Sequence, residues 1–123
     1  MVETIRLRHI EGYSVKRVSW LKNKILKEGI WTKPLALDQE HNLVLDGQHR
    51  MEVALAIGLK YVPAVKYDYA SVKVWSLRKN YEFDWKRVVE TVLSGMTYPY
   101  KTVKHSFGTT FPSCKFSLPE LMK

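Results

Sequence analysis

An acid, a glycine, an amide, an imidazole and a guanidinium stand side by side in one short stretch of the chain: Asp46, Gly47, Gln48, His49 and Arg50. The apolar run 43–45 before this stretch is typical of a strand, and the run 51–57 after it is typical of a helix. A strand that turns into a helix leaves unpaired backbone N–H groups at the positive end of the helix dipole. The stretch therefore predicts an anion-binding corner.

The side chains of this corner suit the binding of phosphate. Gly47 lets the backbone approach a ligand closely, while His49 and Arg50 add donors that can fork onto phosphate oxygens. Asp46, at the end of the strand, is placed to hold a metal ion beside bound phosphates. The simpler alternative is that Asp46 caps the helix and Arg50 forms a surface ion pair. The clustering of five such residues favours the phosphate site.

Three helices are predicted around this corner. The first is capped by Ser14 and stops at Gly29, and its apolar residues fall at three- and four-residue steps: Val15, Val18, Leu21, Ile25 and Leu26. The second follows the corner and stops at Gly58. The third begins after Asp84, a typical N-cap residue, and ends at Gly95.

Five segments have the β-branched, apolar or alternating composition of strands: 4–10, 33–38, 43–47, 61–68 and 71–79. The polar turn 39–42 between the second and third of these predicts a hairpin or two adjacent strands. Pro63 lacks a backbone donor, which predicts an edge position or a strand start.

Residues 96–123 form a tail in which prolines and Gly108 argue against a long regular element. Its aromatic residues are too many for a disordered segment, so we expect it to wrap onto the body: Tyr98, Tyr100, Phe107, Phe111 and Phe116. The prediction is a single α+β domain over residues 1–123. It has a small mixed sheet, three helices and an irregular tail, 96–123, that completes the site.

Composition limits the classes of function. A chain of 123 residues with 46% apolar residues suits one core, and its net charge of +8 attracts polyanions. The single cysteine, Cys114, suggests neither a disulfide framework nor a zinc site. We find no 18-residue apolar stretch and no signal-peptide core at the start, so we expect a cytoplasmic protein that does not span a membrane.

The segment 43–68 resembles the ParB/sulfiredoxin-like fold, in which a D-G-x-H-R or G-x-x-R corner opens a helix that receives nucleotide phosphates. Sulfiredoxins carry a reactive cysteine in this corner. Gln48 occupies that place here, so thiol chemistry at the corner is excluded. The resemblance therefore points to a branch that binds nucleotide without a corner thiol.

The strongest resemblance is to the free serine kinase branch, and it extends over nearly the whole chain. The branch's first motif, E-x-x-x-x-x-R-V-x-x-L, has the counterparts Glu11, Arg17, Val18 and Leu21. Its D-G-H-H-R corner has the counterparts Asp46, Gly47, Gln48, His49 and Arg50. Its tail motif, P-P-K-T-T-R-H, has the counterparts Pro99, Lys101, Thr102 and His105.

This resemblance implies a small-molecule kinase that uses ATP or ADP with Mg²⁺ to phosphorylate the hydroxyl of free L-serine or of a similar metabolite. Glu11 would accept the hydroxyl proton, and Asp46 would bind Mg²⁺ or assist Glu11. The donor phosphates would be held by Gly47, Gln48, His49 and Arg50. The acceptor or its new phosphate would be held by Lys101, Thr102 and His105, with Trp75 lining the pocket.

Simpler interpretations stand beside these assignments. On residue type alone, Glu11 is an exposed loop acid, His105 and Thr102 are surface residues, and Trp75 is a core residue. The rival function is a nucleotide- or DNA-binding regulator on the same fold, which the net charge and the lysines of the first helix favour: Lys16, Lys22, Lys24 and Lys27. Nucleic acid is the less favoured partner, and the sequence leaves the oligomeric state open.

Overall fold

The computed structural model of the protein describes residues 1–76, 78, 84–108 and 112–123. Within this part of the chain there are four α-helices: α1 (Val15–Glu28), α2 (Gln48–Ile57), α3 (Trp85–Leu93) and α4 (Leu118–Leu121). None of the helices in these residues combines the length and the apolar character needed to cross a membrane.

Nine short strands accompany the helices in the described residues. They are β1 (Val2–Glu3), β2 (Ile30–Trp31), β3 (Leu35–Asp38), β4 (Val44–Asp46), β5 (Tyr61–Val62), β6 (Ala64–Tyr67), β7 (Lys73–Trp75), β8 (Lys104–Ser106) and β9 (Phe116–Ser117). The largest sheet has the order β4-β3-β6, and the pairs β1-β5, β2-β9 and β7-β8 surround it.

The three-stranded sheet β4-β3-β6 separates two hydrophobic clusters. Strand β3 pairs antiparallel with β4, as the predicted hairpin requires, and parallel with β6. Because side chains alternate along a strand, Leu35 and Leu37 enter the cluster formed with α1, α2 and α4. Ala36 and Leu45 enter the other cluster, which α3 and the tail cover. Both faces of the sheet are therefore buried.

The predicted helices are confirmed at their ends. The Ser14 hydroxyl accepts a hydrogen bond from the N–H of Arg17 at the start of α1, and Gly29 ends that helix with φ +69°. Asp84 caps α3 in the same way by accepting from Arg87. Caps and glycines are local signals, and for this reason the sequence located them well.

The strand predicted over 4–10 is wrong. Residues Thr4–Arg6 form a 3-10 turn after β1, with Ile5 85% exposed and Thr4 buried. The alternation of polar and apolar residues predicted a buried Ile5 and an exposed Thr4. The N–H of Thr4 donates to the carbonyl of Lys60, the residue before β5, at the end of the β1–β5 pairing. The chain therefore leaves the strand at Thr4, where this pairing ends.

The other predicted strands are shorter than expected. Pro63 divides 61–68 into β5 and β6, and β6 lies at the edge of its sheet, in agreement with the edge position that the proline indicated. Strand β7 ends at Trp75, and residues 77 and 79 of that prediction lie outside the described residues.

The tail wraps onto the body as predicted, but it is not irregular throughout. Strand β8 pairs with β7, β9 pairs with β2, and α4 buries Leu118 and Leu121. Pro119 lies in the first turn of α4, where a missing N–H costs nothing. Proline therefore starts this helix instead of forbidding it. Phe111, one of the tail aromatics, lies outside the described residues.

We expect replacement of Leu121 by alanine to lower the free energy of unfolding by roughly 2 to 5 kcal/mol, because its side chain is fully buried in the α1/α2/α4 cluster. Urea denaturation followed by tryptophan fluorescence measures this. Met122→Ala is the matched control, since Met122 is 51% exposed, and its effect should stay within about 0.5 kcal/mol. Equal effects of the two variants would contradict a docked tail.

Candidate active site

The corner predicted from the sequence lies where β4 meets α2. Gly47 is the N-cap residue of α2 and has φ +115°, a conformation that disfavours every residue with a side chain. A Cβ atom at this position would lie 2.4 Å from Cδ2 of the buried Leu35. No side chain caps α2, so the first-turn N–H groups keep their capacity to bind a ligand.

A cavity of about 510 Å³ adjoins this turn. Five separate parts of the chain form its walls. They are the corner with Leu45 before it, the segment that contains Glu11 and Gly12, Arg17 and Leu21 of α1, Lys33 before β3, and the tail residues Tyr100, Val103, Lys104, His105 and Phe107. The carboxylates of Glu11 and Asp46 thus belong to residues lining one cavity, as the proposed chemistry requires. The space in front of the corner is open and is not filled by the protein's own side chains.

The residues that line the cavity carry more positive than negative charge. Among the described residues that line it, four carry cationic side chains: Arg17, Lys33, Arg50 and Lys104. Glu11 and Asp46 are the two lining carboxylates. Together with the positive end of the α2 dipole, this balance suits a ligand with more than one negative charge.

Arg50 is part of the frame of the corner. Its guanidinium lies 3.4 Å from Asp46 Oδ2 and donates to the carbonyls of Lys33 and Pro34. Burial lowers the pKa of Arg50, and the neighbouring Asp46 opposes that shift. The ion pair of the simpler interpretation is present, but only its Asp46 side lies at the surface, because the Arg50 side chain is 12% exposed. Asp46 does not cap the helix, because Gly47 holds the N-cap position.

His49 is held as a neutral ring. Its Nε2 accepts a hydrogen bond from the N–H of Ser14 at 3.0 Å, which leaves the ring proton on Nδ1. Burial lowers the pKa of His49, and the positive charge of Arg17 adds to the shift. His49 can therefore donate one hydrogen bond through Nδ1 without carrying a charge.

The Gln48 side chain faces inward. Its Nε2 donates to the carbonyl of Val44, its Oε1 is hydrogen-bonded to Nδ1 of His9, and the residue is 7% exposed. Gln48 was predicted to bind phosphate, but its side-chain groups are engaged inside the protein. Only its backbone N–H is left for a ligand. His9 is thus a side-chain partner of Gln48.

Glu11 holds the tail in place. Its Oε2 accepts the backbone N–H groups of Thr102 at 2.9 Å and Val103 at 3.0 Å. The neighbouring Gly12 donates its N–H to the carbonyl of Tyr98. Glu11 is therefore not the exposed loop acid of the simpler interpretation, and its carboxylate fixes the tail beside the corner.

His105 is the one predicted acceptor-binding residue that lines the cavity. Its Nε2 is 2.8 Å from the hydroxyl of Tyr69, and its ring also hydrogen-bonds to the carbonyl of Leu45. Burial lowers its pKa to about 4, so the ring is neutral at physiological pH. The surface histidine of the simpler interpretation is excluded.

The structure does not bring Lys101, Thr102 or Trp75 to the cavity. Lys101 is exposed with its Nζ 5.4 Å from the ring of Tyr100, and Thr102 is fully buried behind Glu11. Trp75 is partly exposed on β7 beneath Lys73, so it is neither a core residue nor part of the cavity wall.

Sequence reasoning assigned no site role to several residues that line the cavity, among them Arg17, Lys33, Tyr100 and Lys104. Tyr100 and Lys104 lie within the tail motif on which the prediction was based, but at positions where this chain departs from the motif, so the matching residues Lys101, Thr102 and His105 were chosen. Nothing in the sequence around Lys33 pointed to a site, because its position beside the corner depends on the pairing of β3 with β4.

The residues that line the cavity fit a magnesium ion that is coordinated partly by the protein and partly by the phosphates of a bound substrate. No group of three or more histidines, cysteines and carboxylates able to hold a metal occurs in the part of the chain that the structure describes. Mg²⁺ usually binds one or two carboxylates together with substrate phosphates and water. Asp46 lines the cavity with its side chain 47% exposed, and Glu11 supplies a second carboxylate to the same wall.

Comparison with sequences of known proteins gives a partial match. No protein-family model matches the chain. A curated ParB-like protein of Sulfolobus acidocaldarius is 32% identical over 66 residues, which are 54% of this chain and 30% of that relative. The match thus spans less than a third of the relative's length.

Solved structures match along nearly the whole chain. Free serine kinase in complex with AMP has a TM-score of 0.88 at 15% identity, covering 98% of this chain and 92% of that one. A conserved hypothetical protein from Pyrococcus furiosus has a TM-score of 0.86 at 14% identity, covering 98% and 95%. C-terminally truncated SbnI from Staphylococcus aureus has a TM-score of 0.83 at 12% identity, covering 98% and 87%. The chain has the ParB/sulfiredoxin-like α+β fold of these structures, as the sequence predicted.

We expect Gly47→Ala to destabilise the protein by about 2 to 4 kcal/mol, because it adds a clash with Leu35 to the strain of a positive φ. Gly58→Ala is the matched control at the other end of α2. Gly58 also has a positive φ, +84°, but no heavy atom lies within 4 Å of the added Cβ. Its cost should be about 1 kcal/mol. Chemical denaturation of both variants measures the difference, and equal costs would contradict the packing at the corner.

We expect the stability of the protein to fall as the pH drops from 6.5 towards 4, in part because of His105. The unfolded chain binds a proton on this ring near its ordinary pKa of 6.5, whereas the folded protein resists it until about pH 4. The contribution is at most about 3 kcal/mol. Urea denaturation of the wild type and of His105→Gln at pH 7.5, 5.5 and 4.5 measures it. The variant should lose less stability on acidification, and parallel pH profiles would contradict the assignment.

Proposed function

We propose that the protein is a nucleotide-dependent kinase that transfers a phosphoryl group from ATP or ADP to the hydroxyl of free L-serine or of a similar small metabolite. One observation carries the proposal: the uncapped start of α2, a cationic wall and the carboxylate of Glu11 meet around a single cavity. The shared fold with free serine kinase, whose structures hold AMP or ADP, supports it. In this proposal residues 1–123 act as one kinase domain.

The donor nucleotide would place its phosphates at the start of α2. The N–H groups of Gln48, His49 and Arg50 lie in the first helical turn, and Gly47 leaves room for the phosphate to approach. Among the lining residues, Arg17 and Lys33 add positive charge. Phosphoryl transfer needs this neutralisation more than it needs covalent chemistry, because the transferring group carries several negative oxygens.

Glu11 would act as the base. Its Oε2 is occupied by two backbone N–H groups, so Oε1 would take the proton as the acceptor hydroxyl attacks phosphorus. The new O–P bond forms as the bond to the departing nucleotide breaks, and the electron pair leaves with the nucleotide. When bound, Mg²⁺ would neutralise charge on the phosphates, and Asp46 is the residue placed to hold it.

The acceptor would lie against the tail. Lys104 provides a positive charge for the carboxylate of an amino acid, and the neutral His105 ring forms part of the wall. Lys101, Thr102 and Trp75 have no direct contact with the acceptor in this arrangement. Thr102 contributes through its backbone N–H, which holds Glu11.

A nucleotide- or DNA-binding regulator remains the competing function. The exposed lysines of α1, the net charge of +8 and the match to a ParB-like protein favour it. Such a protein would bind duplex DNA with an affinity that falls steeply as salt rises, and it would be indifferent to a neutral residue at position 11.

The decisive experiment incubates the protein with Mg²⁺, ATP or ADP and a panel of hydroxyl-bearing metabolites, and detects phosphorylated products by mass spectrometry. We expect O-phosphoserine from serine. Glu11→Gln should reduce turnover at least about 100-fold while nucleotide binding, measured by calorimetry, changes little. Glutamine keeps an oxygen for the Thr102 and Val103 amides, so the tail stays docked.

Two controls separate the loss of the base from the loss of structure. Glu11→Ala removes both the proton acceptor and the acceptor of the two tail hydrogen bonds, so it should also destabilise the protein. Glu90→Gln on α3 neutralises a carboxylate away from the cavity and should leave turnover unchanged. Phosphorylation of a different metabolite would correct the acceptor and keep the mechanism. The kinase proposal fails if no metabolite reacts and duplex DNA binds tightly at physiological salt.

A further inference from the structure

Two hydrogen bonds tie the segment 9–14 to the first turn of α2. His9 Nδ1 is bonded to Gln48 Oε1, and the N–H of Ser14 donates to His49 Nε2. Glu11 lies between these two attachment points. The position of its carboxylate relative to the start of α2 is therefore fixed from both sides.

The bond between His9 and Gln48 has only one consistent assignment of donor and acceptor. The Gln48 amide nitrogen donates to the carbonyl of the fully buried Val44, which turns the amide oxygen towards His9. An oxygen at that position requires a proton on His9 Nδ1. Because Gln48 is 7% exposed, water does not readily replace either partner, and the loss of one leaves the other unpaired.

The other side of the His9 ring is also confined. Its Nε2 lies 3.8 Å from Glu52 Oε2, one helical turn beyond Gln48 on α2. The ring of Tyr13 stacks on His9 with centroids 5.1 Å apart, and the Tyr13 hydroxyl is hydrogen-bonded to Glu52. His9 thus contacts two successive turns of α2, although it does not line the cavity.

We propose that His9 and Gln48 form a positioning pair, which holds the Glu11 carboxylate in register with the phosphate-binding turn of α2. The effect of this pair on catalysis rests on the proposed kinase function. Neither side chain needs to touch the substrate. The pair acts through the segment that carries Glu11, where a displacement of about 1 Å can cost roughly 100-fold in rate.

The test compares His9→Phe with His9→Asn. Phenylalanine keeps the ring but removes the donor, so kcat should fall roughly 10- to 100-fold while the KM for nucleotide changes less than about threefold. Asparagine can present an N–H near the position of Nδ1, and it should restore most of kcat. If His9 served only to stabilise the fold, its replacement would not lower kcat while leaving the KM for nucleotide nearly unchanged.

Two further variants separate positioning from lost stability. The double variant His9→Phe/Gln48→Leu should lose little more kcat than either single variant, because the two residues act as one pair. Gly58→Ala destabilises α2 at its far end, away from the cavity, and should leave kcat unchanged. If His9→Phe retains kcat within about twofold of the wild type, the inference is wrong while the kinase proposal stands.

A measurement without turnover distinguishes the two proposals. In ¹H–¹⁵N NMR spectra, His9 should show a protonated Nδ1, and His9→Phe should shift the amide signals of Thr102 and Val103, which report on Glu11. If the wild type phosphorylates nothing yet these signals shift, the kinase proposal fails and the positioning of Glu11 is upheld. Unchanged amide signals would overturn the positioning pair whatever the activity.

Discussion

Two hydrogen bonds to one carboxylate oxygen hold the cavity together. Glu11 Oε2 accepts the N–H groups of Thr102 and Val103, which lie 91 and 92 residues further along the chain. The tail around these residues has only short strands and one turn of helix, so its place beside α2 depends on contacts of this kind. The same carboxylate faces the space where a hydroxyl would have to react. Structure and proposed catalysis thus depend on one side chain.

The start of α2 lacks the side-chain cap that the other long helices have. A serine or aspartate at the N-cap would contribute about 1 kcal/mol, as Ser14 and Asp84 do for the other long helices. Gly47 provides no cap, adopts φ +115° and leaves the first-turn N–H groups available. In the proposed function, a capping side chain would occupy the space of the bound phosphate. The turn that is less stable in the empty protein would then be stabilised by the bound anion.

Short-range signals predicted much of the fold. Helix caps, terminal glycines and the hairpin before the corner depend on a few neighbouring residues, and all of them were located correctly. The errors occurred where a distant partner decided the conformation. The first residues pair with β5 and leave the strand at Thr4, whose N–H donates to Lys60, and the tail becomes ordered because β2 and β7 offer it edges. Alternation and proline content carry no information about such partners.

By itself, the sequence placed glycine, imidazole and guanidinium groups at the start of a helix and so predicted a phosphate-binding corner, because such groups suit phosphate wherever the helix lies. It could not decide which side chains turn inward. Gln48 bonds to Val44 and His9, while Lys33 and Lys104 line the cavity in place of Lys101. These outcomes depend on strand pairing, on the direction in which each Cβ points and, for the tail residues, on the docking of the tail on Glu11. Residue types thus set what the site can bind, and the packed chain sets which residues form it.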